Sequence, residues 1–371
     1  MSRTLNYEKI LQGFRDESRL RSIPADRSES DVLDLCSNDY MGLRHLMPEM
    51  RKEFDARFPD ASFSASASRL LSVDQDIHKQ LEYRLAELYG RPALLFNSGY
   101  HANTGIVSSL NIPGTLFVAD KLVHASMIDG LTQGRCDFKR FAHNDIHTLS
   151  TILEREAANY SQIVVMVESI YSMDGDIAPL REIAALRDRY DNVLLYVDEA
   201  HAFGVRGRQG LGLCEELGLM DKADIIMGTL GKAACSAGAF CVVSPELKDY
   251  FINAARSFIF STALPPANIA WSLITIERLL GMEAERKHLR DISGRVHEAL
   301  GTSGCDTPIV PFYTYDAAKA IRKSKVLEDK GILALPIRRP TVPAGTERLR
   351  ISLNASLSDA NIDKLLNILA E

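Results

Sequence analysis

The sequence predicts an α/β fold built on a mostly parallel sheet. Six short apolar runs are continuous rather than alternating, which is typical of strands covered on both faces. These runs lie at residues 93–96, 116–119, 163–168, 193–197, 224–228 and 239–243. Amphipathic stretches such as 146–159 and 178–190 separate them, and they have the length of crossover helices that connect parallel strands. An α/β layer is therefore expected from about residue 40 to residue 265.

The pattern changes at Pro265 and Pro266, because a Pro-Pro pair cannot lie inside a helix or a central strand. We predict a long helix over 269–300, followed by a smaller α+β unit. Its elements would be strands at 309–315 and 349–354, a helix near 316–330 and a terminal helix from about 358. The predicted organisation is an N-terminal segment (1–39) that packs with the small domain, a large α/β domain (40–265), and an interdomain helix with the C-terminal small domain (266–371).

Composition and charge exclude several classes of protein. The 371 residues are 46% hydrophobic and 25% charged, as in ordinary globular proteins. The 43 Lys and Arg against 49 Asp and Glu give a net charge of −6, so neither nucleic acid nor a membrane is an expected partner. No apolar run could span a bilayer or serve as a signal peptide. The six cysteines show no metal-ligand spacing, so we expect no metal and reduced thiols in the cytoplasm.

The stretch "LLYVDEAHAFG" (194–204) contains the four letters of the magnesium-binding box of a helicase class. An ATPase of that class also needs the phosphate loop G-x-x-x-x-G-K-[ST]. The chain has one Gly-Lys pair, Gly231-Lys232, and there the nearest upstream glycine is too close and Ala233 replaces the hydroxyl. The ATPase interpretation is therefore a remote alternative.

Reactive side chains follow several predicted strands at the edge where ligands bind in open α/β sheets. Asp198 and His201 follow one strand, and Lys232 follows the next. Gly99 and Tyr100 begin a helical stretch after another strand, so their amides could bind an anion. Pyridoxal 5′-phosphate needs an amine for its aldehyde, a carboxylate that keeps its ring nitrogen protonated, and a phosphate pocket. The sequence therefore predicts a pyridoxal-phosphate site.

Long blocks spread along the chain carry a resemblance to a known family. They are "SNDYMGL" (37–43), "FNSGYHANTGIVSSL" (96–110), "DKLVHASMIDG" (120–130), "RFAHND" (140–145), "ESIYSMDGDIAPL" (168–180), "DEAHAFGVRGRQGLG" (198–212), "GTLGKA" (228–233), "RSFIFSTALPP" (256–266) and "RRPTVPAGTERLRISL" (338–353). In this order they resemble the α-oxoamine synthases, pyridoxal-phosphate enzymes that join an amino acid to an acyl thioester with loss of carbon dioxide.

The resemblance implies an aspartate-aminotransferase-like fold (fold type I), with a mostly parallel seven-stranded sheet in the large domain and a smaller α+β domain. It also implies a homodimer with shared active sites. The likeness is greatest to members that use alanine and a pimeloyl thioester, carried by coenzyme A or a carrier protein. Members that use glycine or serine remain the alternative.

Roles for individual residues follow from the same resemblance. Lys232 would hold the cofactor's aldehyde and then move protons at Cα of the amino acid, and Asp198 would pair with the ring nitrogen. His201 would bond the ring's phenolate oxygen, and His124 would stack over the ring. The other implied cofactor contacts are Gly99, Tyr100, Ser172, Thr229 and, from the second subunit, Thr262. The implied substrate contacts are Arg21, Asn38, Thr341 and Arg350, of which Arg350 would grip the α-carboxylate with its planar guanidinium.

The chain departs from the family pattern in two stretches where relatives carry glycines. One reads "SASASRLLSVDQDIH" (64–78) and the other "KAACSAGA" (232–239). Serine and alanine add side chains where the family has bare backbone, so a narrower pocket mouth is expected. A protein that binds the cofactor without turnover is the remaining alternative from another class.

Overall fold

The computed structural model of the chain describes residues 5–23, 32–73, 76–302 and 304–371. Within them, the α-helices are α1 (Leu5–Asp16), α2 (Met47–Arg57), α3 (Asp76–Tyr89), α4 (Gly99–Ser109), α5 (Ala125–Gly134), α6 (Ile146–Glu156), α7 (Leu180–Arg187), α8 (Leu213–Leu217), α9 (Pro245–Ala254), α10 (Arg256–Ile259), α11 (Pro266–Leu280), α12 (Glu283–Ala299), α13 (Ala317–Asp329) and α14 (Asp359–Ala370). The strands are β1 (Leu33–Asp34), β2 (Ala93–Phe96), β3 (Thr115–Asp120), β4 (Asp137–Phe141), β5 (Gln162–Glu168), β6 (Val193–Asp198), β7 (Ile225–Thr229), β8 (Ala239–Val242), β9 (Ile309–Tyr313), β10 (Ile332–Leu333), β11 (Leu335–Ile337) and β12 (Arg348–Ser352).

By packing, the described residues divide into two compact units. The larger holds residues 39–172 and 176–289, and the smaller holds the described part of the chain up to residue 38 together with 173–175 and 290–371. The boundaries expected at 39 and 265 stay a prediction.

The larger unit contains a seven-stranded sheet in the order β2-β8-β7-β6-β5-β3-β4. Strand β8 runs antiparallel to both of its neighbours, and the other neighbouring pairs are parallel. Strands β3 and β7 are buried along their whole length, and β5 and β6 along most of it, which explains their continuous apolar sequences. The predicted fold class, a mostly parallel seven-stranded sheet with flanking helices, is confirmed.

Helices α4 and α5 pack closely on each other beside this sheet. A Cβ added at Gly130 of α5 would lie 2.8 Å from Cβ of Val107 and 3.1 Å from the carbonyl oxygen of Asn103, both in α4. Only a residue without a side chain allows this approach. Glycine therefore lets the middle of α5 approach the middle of α4.

The smaller unit has a three-stranded antiparallel sheet in the order β11-β12-β9 and a short parallel pair of β1 with β10. Its last helix, α14, begins with a capping box in which Ser358 and Asn361 satisfy each other's backbone amides. Arg350 lies in the central strand of the three, opposite Pro311 of β9.

The six predicted strands of the larger unit are confirmed within one residue or two. Strand β4 was not predicted, because four of its five residues are exposed and its sequence "DFKRF" lacks an apolar run. The single helix predicted over 269–300 is wrong: the chain forms α11 and α12, separated at Gly281 and Met282. Across the ranges described, none of the helices combines the length and the apolar character needed to cross a bilayer.

Candidate active site

Lys232 follows the end of β7, at the edge of the sheet where the parallel strands end. Its Nζ lies 2.8 Å from Nε2 of His201, and Nδ1 of the same ring lies 2.7 Å from the hydroxyl of Tyr40. A lysine ammonium can only donate, so Nε2 of His201 accepts from it and Nδ1 carries the ring proton. His201 and Tyr40 are buried and Lys232 is half-buried. The amine is therefore held in place rather than extended into water.

Asp198 is the last residue of β6 and is 2% exposed. Its Oδ1 accepts a hydrogen bond from the amide of Ala200 at 2.8 Å, and its Oδ2 accepts one from Nδ2 of Asn103 at 2.9 Å. Donors of this kind stabilise the charged form of a buried carboxylate. A carboxylate in this position can stabilise a protonated nitrogen of a bound ring.

His124 precedes α5 and caps that helix with its ring. Nδ1 accepts from the amide of Ser126 at 3.2 Å and lies 2.7 Å from the hydroxyl of the same serine. Although the residue is exposed, partial burial of the ring lowers its pKa; Lys232 acts in the same direction, and the charge of Asp198 opposes it. Lys232 and Asp198 thus both lie within electrostatic range of this imidazole.

A second buried carboxyl group lies beside Asp198. Glu168 ends β5 and pairs in register with Asp198 across the parallel ladder. Burial raises the pKa of Glu168 well above its usual range, and the negative charge of Asp198 adds to the rise. Within the described residues, its Oε1 is buried without a hydrogen-bond partner. A carboxyl group with a raised pKa therefore lies next to Asp198 at the end of the neighbouring strand.

The N-terminus of α4 lies beside the end of β7. A Cβ added at Gly99, the first residue of this 11-residue helix, would come no closer than 3.8 Å to any neighbouring atom, and the same holds at Gly231. Both positions face Oγ1 of Thr229, which is buried at the end of β7 and donates to the carbonyl of Gly238 at 3.1 Å. The amides of a helix N-terminus favour an anionic group.

Three other predicted cofactor contacts lie in the same unit. Tyr100 is 45% exposed and its hydroxyl donates to Asp129. Ser172 is half-buried, and its backbone amide hydrogen-bonds the Glu168 carboxyl group. Thr262 is exposed; it forms a β-bridge with Ser68, and its carbonyl accepts from the side chain of Asn97 at 2.6 Å.

The four predicted substrate residues belong to the smaller unit, where the structure brings them together as two pairs. Nη1 of Arg350 donates to Oδ1 of Asn38 at 3.0 Å, although 312 residues separate them in sequence. Nη2 of Arg21 donates to Oγ1 of Thr341 at 2.6 Å across 320 residues. Arg350 is buried and Arg21 is exposed.

Sequence reasoning missed four residues of the larger unit, namely Tyr40, Asn103, Ser126 and Glu168. Glu168 had a usable signal, because it ends an apolar strand just as Asp198 does. The other three had none, since their partners lie far away in sequence or are recognisable only once the helices are packed.

The side chains present fit pyridoxal phosphate. An amine held by a buried histidine can receive the aldehyde, and a buried carboxylate can pair with the ring nitrogen. The backbone amides at the start of α4 can bind the phosphate. The unpartnered oxygen of Glu168 further indicates that this pocket is built for a polar occupant.

Comparison with known proteins agrees with this geometry. Residues 30–369 match the family model described as aminotransferase class I and II. The 8-amino-7-oxononanoate synthase of Chlorobaculum parvum is 43% identical, with 90% of this chain and 88% of that protein covered. A protein of Pasteurella multocida with a provisional form of the same name is 41% identical over 98% of both chains. A structure of a lysine-to-alanine variant of serine palmitoyltransferase from S. paucimobilis, with bound PLP–myriocin aldimine, has a TM-score of 0.87 at 30% identity and covers 99% of this chain and 96% of that one.

These relatives cover nearly the whole chain, and the identities are well above the level at which only a fold is shared. The chain therefore belongs to the class I and II aminotransferase family and, within it, to the α-oxoamine synthases, which are fold type I enzymes dependent on pyridoxal phosphate.

Proposed function

We propose that the protein is an 8-amino-7-oxononanoate synthase, which condenses L-alanine with a pimeloyl thioester and releases carbon dioxide in biotin biosynthesis. One observation carries the proposal: relatives with this name are 41–43% identical over at least 88% of their length. The serine palmitoyltransferase structure is 30% identical, so it supports the serine-using alternative less well.

Bound pyridoxal phosphate supplies an electron sink for the carbanion that forms at Cα of the amino acid. Lys232 would hold the aldehyde of the cofactor, and its amine would take the Cα proton of the amino acid and later return one. Asp198 keeps the ring nitrogen protonated, and the amide of Ala200 and the side chain of Asn103 hold its oxygens in place. His201 orients Lys232 through the 2.8 Å hydrogen bond, and it would bond the phenolate oxygen of the cofactor ring.

The remaining roles rest on the same resemblance. His124 would stack over the ring, and Gly99, Tyr100, Ser172 and Thr229 would contact the ring hydroxyl or the phosphate. In the smaller unit, Arg350 binds the α-carboxylate of alanine, with Asn38 orienting its guanidinium, and Arg21 and Thr341 contact the substrate. The new bond joins Cα of alanine to the acyl carbon, the thiol departs, and the carboxylate leaves as carbon dioxide.

A homodimer and a thioester carrier are part of this proposal. Large apolar side chains are exposed along two segments joined by the Ser68–Thr262 bridge, among them Phe63, Leu71 and Phe260. Exposed apolar groups close together are typical of protein interfaces, which supports a shared pocket to which Thr262 of a second copy contributes. We expect the purified protein to sediment as a dimer, and a monomer would contradict the shared pocket. The thioester is carried by coenzyme A or by a carrier protein, and a cytoplasmic location stays a prediction.

The amino-acid preference provides the test. The purified protein, loaded with pyridoxal phosphate in D₂O, is mixed with L-alanine, glycine or L-serine, and loss of the Cα proton signal is followed by NMR. We expect the fastest exchange with alanine, and formation of 8-amino-7-oxononanoate once a pimeloyl thioester is added. Preference for serine or glycine would move the protein to another branch of the family. Cofactor binding with no exchange of any amino acid would contradict an enzymatic role. Lys232→Ala should abolish the exchange with every amino acid. Lys222→Ala is its matched control, because Lys222 pairs with Asp188 at the surface.

A further inference from the structure

A continuous hydrogen-bond network joins Asp198 to His124 through two residues that have no assigned role. Asn103 lies in the middle of α4 and is 1% exposed; Ser126 lies in the first turn of α5 and is 0% exposed. Nδ2 of Asn103 is 2.9 Å from Oδ2 of Asp198 and 2.9 Å from Oγ of Ser126. Oγ of Ser126 is in turn 2.7 Å from Nδ1 of His124.

The orientation of the Asn103 amide is fixed by its neighbours. The carboxylate of Asp198 accepts and cannot donate, so the NH₂ group of Asn103 must face it. The amide oxygen then faces Tyr196, whose hydroxyl donates to it at 2.6 Å. Each of the two hydrogens on Nδ2 has an acceptor, one on Asp198 and one on Ser126.

The direction of the Ser126 hydroxyl follows from this. Its oxygen accepts from Asn103, and its own hydrogen points along the short contact to Nδ1 of His124. The backbone amide of Ser126 also donates to Nδ1, at 3.2 Å. A proton on Nδ1 would face that amide hydrogen directly, so both donors require an unprotonated Nδ1.

The other ring nitrogen of His124 is left for an occupant of the pocket. Among the residues that the structure describes, Nε2 has no hydrogen-bond partner, and the residue is exposed. A neutral imidazole with a bare Nδ1 carries its proton on Nε2. The packing that maintains this arrangement depends on Gly130, because it lets α5 approach the carbonyl of Asn103.

We propose that Asn103 and Ser126 are positioning residues that hold His124 in the tautomer protonated at Nε2, so that the ring presents an N–H donor to an acceptor oxygen of the bound substrate. The hydrogen bond from His124 to the substrate rests on the proposed function. The tautomer of His124 rests only on the hydrogen bonds described above. In this arrangement His124 is a hydrogen-bond donor and not a base. Asn103 also links the orientation of His124 to that of Asp198.

The tautomer can be measured directly in the full-length protein labelled with ¹⁵N-histidine, with and without pyridoxal phosphate. Long-range ¹H–¹⁵N correlations distinguish the two ring nitrogens, and His124→Gln identifies the signals of this ring. We expect a proton on Nε2 and a bare Nδ1 at neutral pH in both states. A ring protonated at Nδ1, or at both nitrogens, would overturn the proposal even without any further variant.

Substitutions then test the positioning role. Ser126→Ala should introduce a population protonated at Nδ1 and lower kcat/KM for the amino acid about tenfold, the effect of one lost hydrogen bond. Ser126→Thr keeps the hydroxyl and should restore both. Asn103→Asp replaces the donor to Ser126 by an acceptor and should shift the proton of His124 to Nδ1. Ser109→Ala is the matched control, because that buried hydroxyl donates only within α4, to the carbonyl of Ile106 at 2.9 Å.

The outcomes distinguish the tautomer of His124 from its donation to the substrate. A tautomer that changes in Ser126→Ala without any change in kinetics would overturn the donation to substrate. If the wild-type ring is protonated at Nε2 but no amino acid exchanges its Cα proton, the positioning of His124 is supported while the proposed function fails.

Discussion

Two histidines lie beyond the ends of neighbouring strands of the same sheet, and their environments differ in kind. His124 follows β3 and is hydrogen-bonded to the hydroxyl of Ser126. His143 follows β4 and lies between two carboxylates, with Nδ1 2.9 Å from Asp120 and Nε2 2.6 Å from Asp176. Partial burial lowers the pKa of His124. For His143 burial acts in the same direction, but the bonds to Asp120 and Asp176 outweigh it and raise its pKa to about 10.

The difference shows how one residue type serves two purposes at one edge of a sheet. Both ring nitrogens of His143 are engaged and the charge is permanent at neutral pH, so this residue fastens the loop after β4 to the loop after β5. His124 remains neutral and uses one nitrogen for its helix, which leaves the other for chemistry. We therefore expect loss of activity from changes at His124 and loss of stability from changes at His143.

Removal of the His124 ring should have the largest effect on activity. His124→Ala should reduce kcat/KM by about 10²–10³-fold, as expected when a donor to a reacting group is lost. The free energy of unfolding should fall by no more than about 1 kcal/mol, the usual effect of losing a helix cap. Steady-state kinetics and urea unfolding measure the two quantities, and His147→Ala, at an exposed histidine of α6, is the control. An activity within threefold of the wild type would contradict the distinction.

Removal of the His143 ring should instead destabilise the fold. Asp120 is buried. Without His143 its carboxylate keeps the amides of Leu122 and Asn144 but loses its cation, so His143→Ala should lower the free energy of unfolding by about 2–3 kcal/mol. Adding Asp120→Asn to that variant should recover part of the loss. Urea unfolding of both variants against His147→Ala provides the measurement, and equal stability of His143→Ala and the wild type would refute the ion-pair account.

The two histidines should also have opposite effects on the pH dependence of stability. The raised pKa of His143 makes its contribution complete below pH 6.5, with loss as pH rises towards about 10. The lowered pKa of His124 makes its contribution complete above pH 6.5, with loss as pH falls through the folded-state pKa. Unfolding free energies of the wild type and each alanine variant, measured across this range, should therefore converge at high pH for His143→Ala and at low pH for His124→Ala. If the unfolding free energies of the wild type and of both variants keep a constant difference across this pH range, the pKa shifts assigned to the two histidines are wrong.

The smallest expected effect concerns the stretches where this chain lacks the glycines of its family. Ser66 and Cys235 have positive φ values of 52° and 46°, a conformation that glycine adopts without strain. Ser66→Gly and Cys235→Gly should each raise the free energy of unfolding by about 0.5–1 kcal/mol. Ser64→Gly, in the same stretch but without a positive φ, should not, and thermal melts of the three variants would decide. A stabilisation at position 64 equal to that at position 66 would show that backbone strain is not the cause.

Much of the fold was predictable because its signals are local. Buried parallel strands show as continuous apolar runs, and the residues that end those runs meet at one edge of the sheet. For this reason Asp198 and Lys232 could be placed there from sequence. Strand β4 could not be predicted, since an exposed edge strand has no such run, and neither could the break at Gly281, since one glycine within a helical pattern is often tolerated.

The contrast between the two histidines was not predictable from local sequence. "LVHAS" and "FAHND" both place a histidine after a strand, and neither reveals its charge. The partners of His143 are 23 and 33 residues away, and Asn103 is 95 residues from Asp198. These contacts exist only once the sheet and the α4–α5 pair have formed.

The central claim is that Lys232 is the amine that holds pyridoxal phosphate. It is tested most directly by borohydride reduction of the protein loaded with the cofactor, followed by digestion and mass spectrometry. We predict that the reduced pyridoxyl group is recovered on the peptide that contains Lys232 and is absent in Lys232→Ala, while Lys222→Ala is labelled as the wild type is. Recovery of the label on another lysine, or no label at all, would contradict the account.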